Sequence, residues 1–230
     1  MMVSRRALLG GLAAGAAFLA AGPLAAAADA LDVEVDTSQA PDLAAWGVEV
    51  QARAPHWWRT INRVLAAPGF TPPAKIFIRP SPASALPPRA AAQARGEVIF
   101  VNAPYLRAHP QYNFIAHEMV HIVQPYGTHS PGWVVEGIAD WVRYYILFPD
   151  DQERLWDPSR GDWRRGYQQA AALLDYEERV HGAGTVRALN AALHRGEDPV
   201  AWLQRLDRTS LPLVWDQVLQ ALRDGSPPPA

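Results

Sequence analysis

The sequence predicts an α+β fold: a small mixed sheet in the N-terminal part, then a mostly helical C-terminal part. Two observations carry this. Short β-rich runs occur only in the first half, and from Pro104 onward apolar residues recur at helical spacing. A third observation sets the size: 49% of the 230 residues are hydrophobic, nine of them Trp, which suits one compact domain with a full core.

Residues 1–30 stand apart. Ser4-Arg5-Arg6 precedes an Ala/Leu/Gly-rich stretch to Ala21, followed by Pro23 and Ala28-Asp29-Ala30. This pattern predicts a cleaved signal peptide of twin-arginine type, and so a protein exported to the periplasm or beyond. The apolar run is too short and too rich in small residues for a stable membrane anchor. The expected domain then spans 31–225, with a disordered tail over 226–230, and acts as a monomer.

Leu31 to Asp36 alternates apolar and acidic residues like an exposed strand. Pro41 opens a long helical stretch through Trp46, Trp57, Trp58, Ile61 and Leu65 to Gly69. Lys75 to Ile78 and Glu97 to Val101 are β-rich and read as neighbouring strands, separated by a loop with Pro80, Pro82, Pro87 and Pro88. Beyond Pro104 the helical pattern breaks at Pro125, Pro131, Pro149, Pro158, Gly182, Pro199 and Pro212.

Composition narrows the chemistry. A net charge of −2 gives no electrostatic footprint for nucleic acid. The chain has no Cys, which excludes disulfides, thiolate metal sites and cysteine nucleophiles. Any metal must be held by imidazole and carboxylate.

His117-Glu118-Met119-Val120-His121 is an H-E-x-x-H segment inside a helical apolar pattern. Residues four apart lie about 40° apart around a helix, so both imidazoles face one way and form two preset ligands. Glu118 sits beside that face, where it can take a proton from water without being a ligand. The next helix, Trp133 to Phe148, is apolar almost all round, with Glu136, Asp140 and Arg143 on one stripe. Buried carboxylates need a cation or strong hydrogen bonds. Glu136 therefore reads as the third ligand of a catalytic Zn²⁺, and Asp140 as the group that orients a ligand imidazole. The alternative is an ordinary ion-pair stripe with Arg143. His129 is a rival third ligand. The metzincin pattern is excluded, because Gln124 and Gly127 occupy the positions that would need Gly and His.

The H-E-M-V-H segment, Pro131-Gly132-Trp133, the run Glu136-Gly137-Ile138-Ala139-Asp140-Trp141-Val142-Arg143, and Gly166-Tyr167 with Leu173-Leu174-Asp175-Tyr176 resemble the basic secretory protein family of gluzincin-like peptidases. The resemblance runs from about Gly96 to Leu219. It implies His117, His121 and Glu136 as ligands, Glu118 as base and Asp140 behind an imidazole. It also implies a zincin-like fold, in which an edge strand matched by Gly96 to Asn102 borders the cleft and holds an extended peptide. The chain departs from the pattern in being slightly acidic, and in carrying Trp163 where related aminopeptidases place an oxyanion-stabilising Tyr. Tyr167 is the first replacement donor, and Tyr144 or Tyr145 the second, against simple aromatic packing for each.

These readings predict zinc-assisted hydrolysis of a peptide or protein substrate. The competing class is a non-catalytic exported binding module on the same scaffold, against which the intact Glu118 argues.

Overall fold

In a computed structural model the described residues are 31–82, 86, 90–127, 130–151 and 155–225. The predicted leader, the predicted tail and His129 lie outside them.

The first unit is strand, helix, strand. β1 (Asp32–Val35) leads through a 3-10 turn into α1 (Ala44–Leu65), and β2 (Lys75–Ser81) returns parallel to β1. A parallel pair needs such a crossover, because a tight turn cannot reverse the chain direction twice. α1 is one long helix as predicted, with Pro55 inside it. Its apolar residues at 50, 54, 57, 58, 61 and 65 fall on one buried stripe.

β4 (Val98–Asn102) pairs parallel to β2 on its other side, and β3 (Ala92–Arg95) pairs antiparallel to β4. The strand order is β1-β2-β4-β3, so the sheet is small and mixed. This corrects one expectation. The stretch from Gly96 to Asn102 is interior, and the edge strand is β3, which falls where the sequence predicts a loop. Ala-Gln-Ala-Arg carries no β-branched or aromatic residue, so propensity gives no sign of a strand there. The hairpin imposes it: Gly96 opens the two-residue loop at φ +59°, the positive φ that a primed turn needs.

One face of the sheet is buried through Ile76, Ile78, Ile99 and Val101. On the other face Phe77 is only half-buried, beneath Lys75 and Arg79. α2 (Ala103–Ala108) is capped by Asn102, whose side chain accepts from the Tyr105 amide at 3.1 Å. α3 (Asn113–Ile122) then packs against α1, β3 and β4. α4 (Gly132–Trp141) continues over Val142–Leu147 as π-helix, so the predicted single helix changes pitch near its C-terminal end. The Phe148 amide donates to the Arg143 carbonyl, five residues back.

α5 (Tyr167–His181) lies against α4 at close range. A Cβ on Gly137 would stand 2.5 Å from the Cβ of Ala170, so only glycine permits this approach. α6 (Thr185–His194), α7 (Pro199–Asp207) and α8 (Leu211–Asp224) complete the helical part. One connected core of buried side chains runs from the sheet to α8.

Candidate metal centre

α3 is short and nearly all buried, and it presents His117 and His121 one turn apart toward α4. Their rings lie 4.7 Å apart at 85°. α4 supplies Glu136 from the facing side. The two Nε2 atoms are 3.1 Å apart, and the Glu136 carboxylate lies 3.2 Å from the Nε2 of His117 and 3.6 Å from that of His121. A tetrahedral ion with ligands at about 2.0–2.1 Å spaces them roughly 3.4 Å apart. The three groups therefore form a triangle of suitable size, and they could hold a metal ion.

The outward faces of both rings are fixed. Asp140, one turn along α4 from Glu136, approaches the His117 Nδ1 at 2.8 Å. Gln124 Oε1 approaches the His121 Nδ1 at 2.9 Å, and its amide nitrogen donates to the Val135 carbonyl. With each Nδ1–H donated outward, both Nε2 lone pairs face the centre, the tautomer that a metal ligand requires.

The electrostatics favour positive charge there. Burial alone would push the His117 pKa down, but hydrogen bonds to Asp140 and Glu136, with the charges of Asp140 and Glu118, raise it to about 10. Burial pushes Glu136 up, yet its hydrogen bonds to His117 and His121 bring it down to about 2. A buried centre that draws a proton this strongly also suits a divalent cation.

Glu118 stands outside the triangle. Its Oε2 accepts from the Ala94 amide of β3 at 2.8 Å, which ties the proposed base to the sheet edge. That edge, over Ala92, Gln93 and Ala94, forms one wall of a cleft of about 1130 Å³, and Gly166 and Tyr167 at the start of α5 form part of the other.

Tyr167 is half exposed (55%), and its ring stacks parallel to His117, with centroids 6.2 Å apart. Burial and then the Glu136, Asp140 and Glu118 carboxylates raise its pKa, so the phenol keeps its proton. Tyr144 also lines the cleft, whereas Tyr145 packs against the core. Trp163 is buried edge-on against Trp133 at 4.6 Å, which is a core role. The Arg143 guanidinium donates to the Asn113 side chain, which in turn donates to Asp151.

Two contributors are absent from the sequence reading. Gln124 follows His121 by three residues at the end of α3, which is the only local hint of its role. The Ala94 amide has no side-chain signature at all. Among the described residues no helix is long and apolar enough to cross a membrane.

A family model described as a peptidase of plants and bacteria, the basic secretory protein family, matches residues 102–216, half of the chain. The match spans both the H-E-M-V-H segment and the run from Glu136 to Arg143. No curated protein and no solved structure matches the chain significantly. The close agreement between the matched stretch and the one that carries the site places this chain in the basic secretory protein family of plant and bacterial peptidases.

Proposed function

We propose that the protein is an exported zinc metallopeptidase of zincin-like fold, periplasmic or extracellular, that acts as a monomer on peptide or protein substrates. The observation that carries this is the triangle of His117, His121 and Glu136, with Glu118 beside it but outside the triangle, bonded to the Ala94 amide at the cleft edge. Imidazole, imidazole and carboxylate leave room for a fourth, open position, which is the pattern of catalytic rather than structural zinc.

Bound zinc would bring water toward ionisation near neutral pH and polarise the scissile carbonyl. Glu118 would take the proton of the attacking water and return it to the leaving amine nitrogen, so one carboxylate serves as base and then as acid. Asp140 and Gln124 hold the two imidazoles in register through their Nδ1–H groups. Tyr167 donates its phenol O–H to the oxygen of the attacked carbonyl as charge gathers on it. β3 is an edge strand, so the outward backbone groups that remain beside the Ala94 amide held by Glu118 can hydrogen-bond an extended peptide laid along it.

The test is Glu118→Ala in mature protein, assayed on a mixed peptide library with metal content measured in parallel. Hydrolysis should vanish while metal content stays at the wild-type level. Full hydrolysis by this variant would remove the mechanism.

A further inference from the structure

Glu177 lies on α5 and is not among the residues that line the cleft. Its residue exposure is 0%, yet neither carboxylate oxygen has a hydrogen-bond partner. A buried ionisable group left in this state is costly and calls for a partner. His181, one turn along α5, places its Nε2 3.4 Å from Glu177 Oε2 and 2.8 Å from Asp207 Oδ1. The other Asp207 oxygen is also buried and without a partner. One atom from each of the three side chains falls within 4.8 Å of the others.

We propose that Glu177, His181 and Asp207 form a second divalent-cation site, structural in role, that joins the C-terminal ends of α5 and α7. Three arguments support a cation over a proton. First, both Glu177 oxygens and the second Asp207 oxygen lack an N–H or O–H donor, and a proton shared between Glu177 and Asp207 would join one oxygen of each and leave the third with only His181 Nε2 at 3.4 Å. His181 Nε2 carries at most one N–H, which Asp207 already engages. Second, His181 and Asp207 are the last residues of their helices. Two helix C-termini meet there, and each directs partial negative charge at the site. Third, among the described residues no Lys or Arg pairs with Glu177 or Asp207. Burial, with the Asp207 carboxylate beside it, holds Glu177 well above the usual carboxylate range, as expected of a carboxyl lacking its counter-ion. The His181 side chain is 24% exposed and provides the access path. One imidazole with two carboxylates suits Zn²⁺ or Mn²⁺ better than Ca²⁺, which prefers oxygen alone.

The experiment uses the whole chain, stripped with chelator and dialysed against buffered micromolar Zn²⁺, with bound metal counted per chain. Wild type should hold two equivalents. Glu177→Gln and Asp207→Asn should each hold one, as should Glu136→Ala, and the double variant Glu136→Ala/Glu177→Gln should hold none. Zinc should raise the melting temperature of Glu136→Ala but not of that double variant. His181→Ala, altered at the solvent side, repeats the test if Glu177→Gln fails to fold. Zinc content unchanged by the Glu177, Asp207 and His181 substitutions overturns the proposal. Loss on these substitutions but not on Glu136→Ala would leave it standing and instead refute the reading of the cleft.

Discussion

Asp140→Asn separates a positioning role for Asp140 from a merely structural one. Asp140 is 4% exposed, and its Oδ1 lies 2.8 Å from His117 Nδ1. Asn keeps the size and an acceptor oxygen, so the hydrogen bond can persist while its charge is lost. A charge-assisted bond contributes about 1.5–3 kcal/mol against about 0.5–1.5 for a neutral one. The difference, on the order of 1–1.5 kcal/mol, falls on the basicity of Nε2. An Asn that turned its NH₂ toward Nδ1 would do more harm, because it would move the ring proton to the metal-facing nitrogen. Together these place the expected loss of metal affinity at about 10- to 100-fold, or roughly 1.4–2.8 kcal/mol. Competition with a chelator measures the affinity, and a melt of the metal-loaded protein measures stability beside it. Unchanged affinity and turnover with a lowered melting temperature would refute the reasoning and leave Asp140 a core carboxylate.

Metal-free protein should lose stability as pH rises from about 6.5 toward 10: His117 holds its proton more tightly in the folded chain, so its contribution is complete below its unfolded pKa and fades as pH passes the raised one. Glu136 acts oppositely, with a contribution present above its ordinary value of 4.5 and lost as pH falls toward 2. Melting temperatures across pH should therefore fall on both sides of a weakly acidic plateau, and an alkaline limb that is flat up to pH 10 would contradict the first part. Tyr167→Phe should lower kcat by about 10²-fold or more with little change in KM or metal content, since one oxyanion donor is removed. An unchanged kcat would return Tyr167 to aromatic packing. Gly137→Ala forces a Cβ to within 2.5 Å of Ala170, and relieving such overpacking costs about 1–3 kcal/mol, or roughly 2–12 °C in melting temperature. Ala170→Gly in the same chain should restore most of it, and failure to do so would locate the loss elsewhere.

The H-E-x-x-H helix was legible because helical period and ligand spacing coincide: the same four-residue step that buries Ile115 and Met119 brings His117 and His121 onto one face. Glu136 and Asp140 were legible for a different reason, as charges on a helix too apolar to be solvated. Both arguments work within one element. The edge strand failed this test, because Ala92 to Arg95 becomes a strand only by pairing with β4 across Gly96, and no residue in it prefers that state. The role of Gln124 has little mark in the sequence for a similar reason, since its amide is held by Val135, eleven residues on, and only that anchor aims its oxygen at His121. The change of pitch at Val142 has no sequence mark that we can identify, yet it falls where Arg143 and Tyr144 reach the cleft.

Gly166 and Tyr167 join these levels. Gly166 sits at φ +74°, where a Cβ would come within 3.3 Å of the Trp133 backbone and 3.4 Å of the Glu136 Cβ. The glycine thus lets the start of α5 settle on the first turn of α4, against the carboxylate of the triangle. Tyr167 follows at φ +49°, in the left-handed region that a bulky residue rarely enters. A tyrosine held there only to fill space would gain little, because more than half of it is exposed to solvent. What the unusual backbone achieves is direction: it accompanies a ring that stacks on His117 and lines the cleft. The local cost falls where the second wall meets His117 and Glu136, and the close Gly137 and Ala170 contact one turn along keeps that wall from relaxing away.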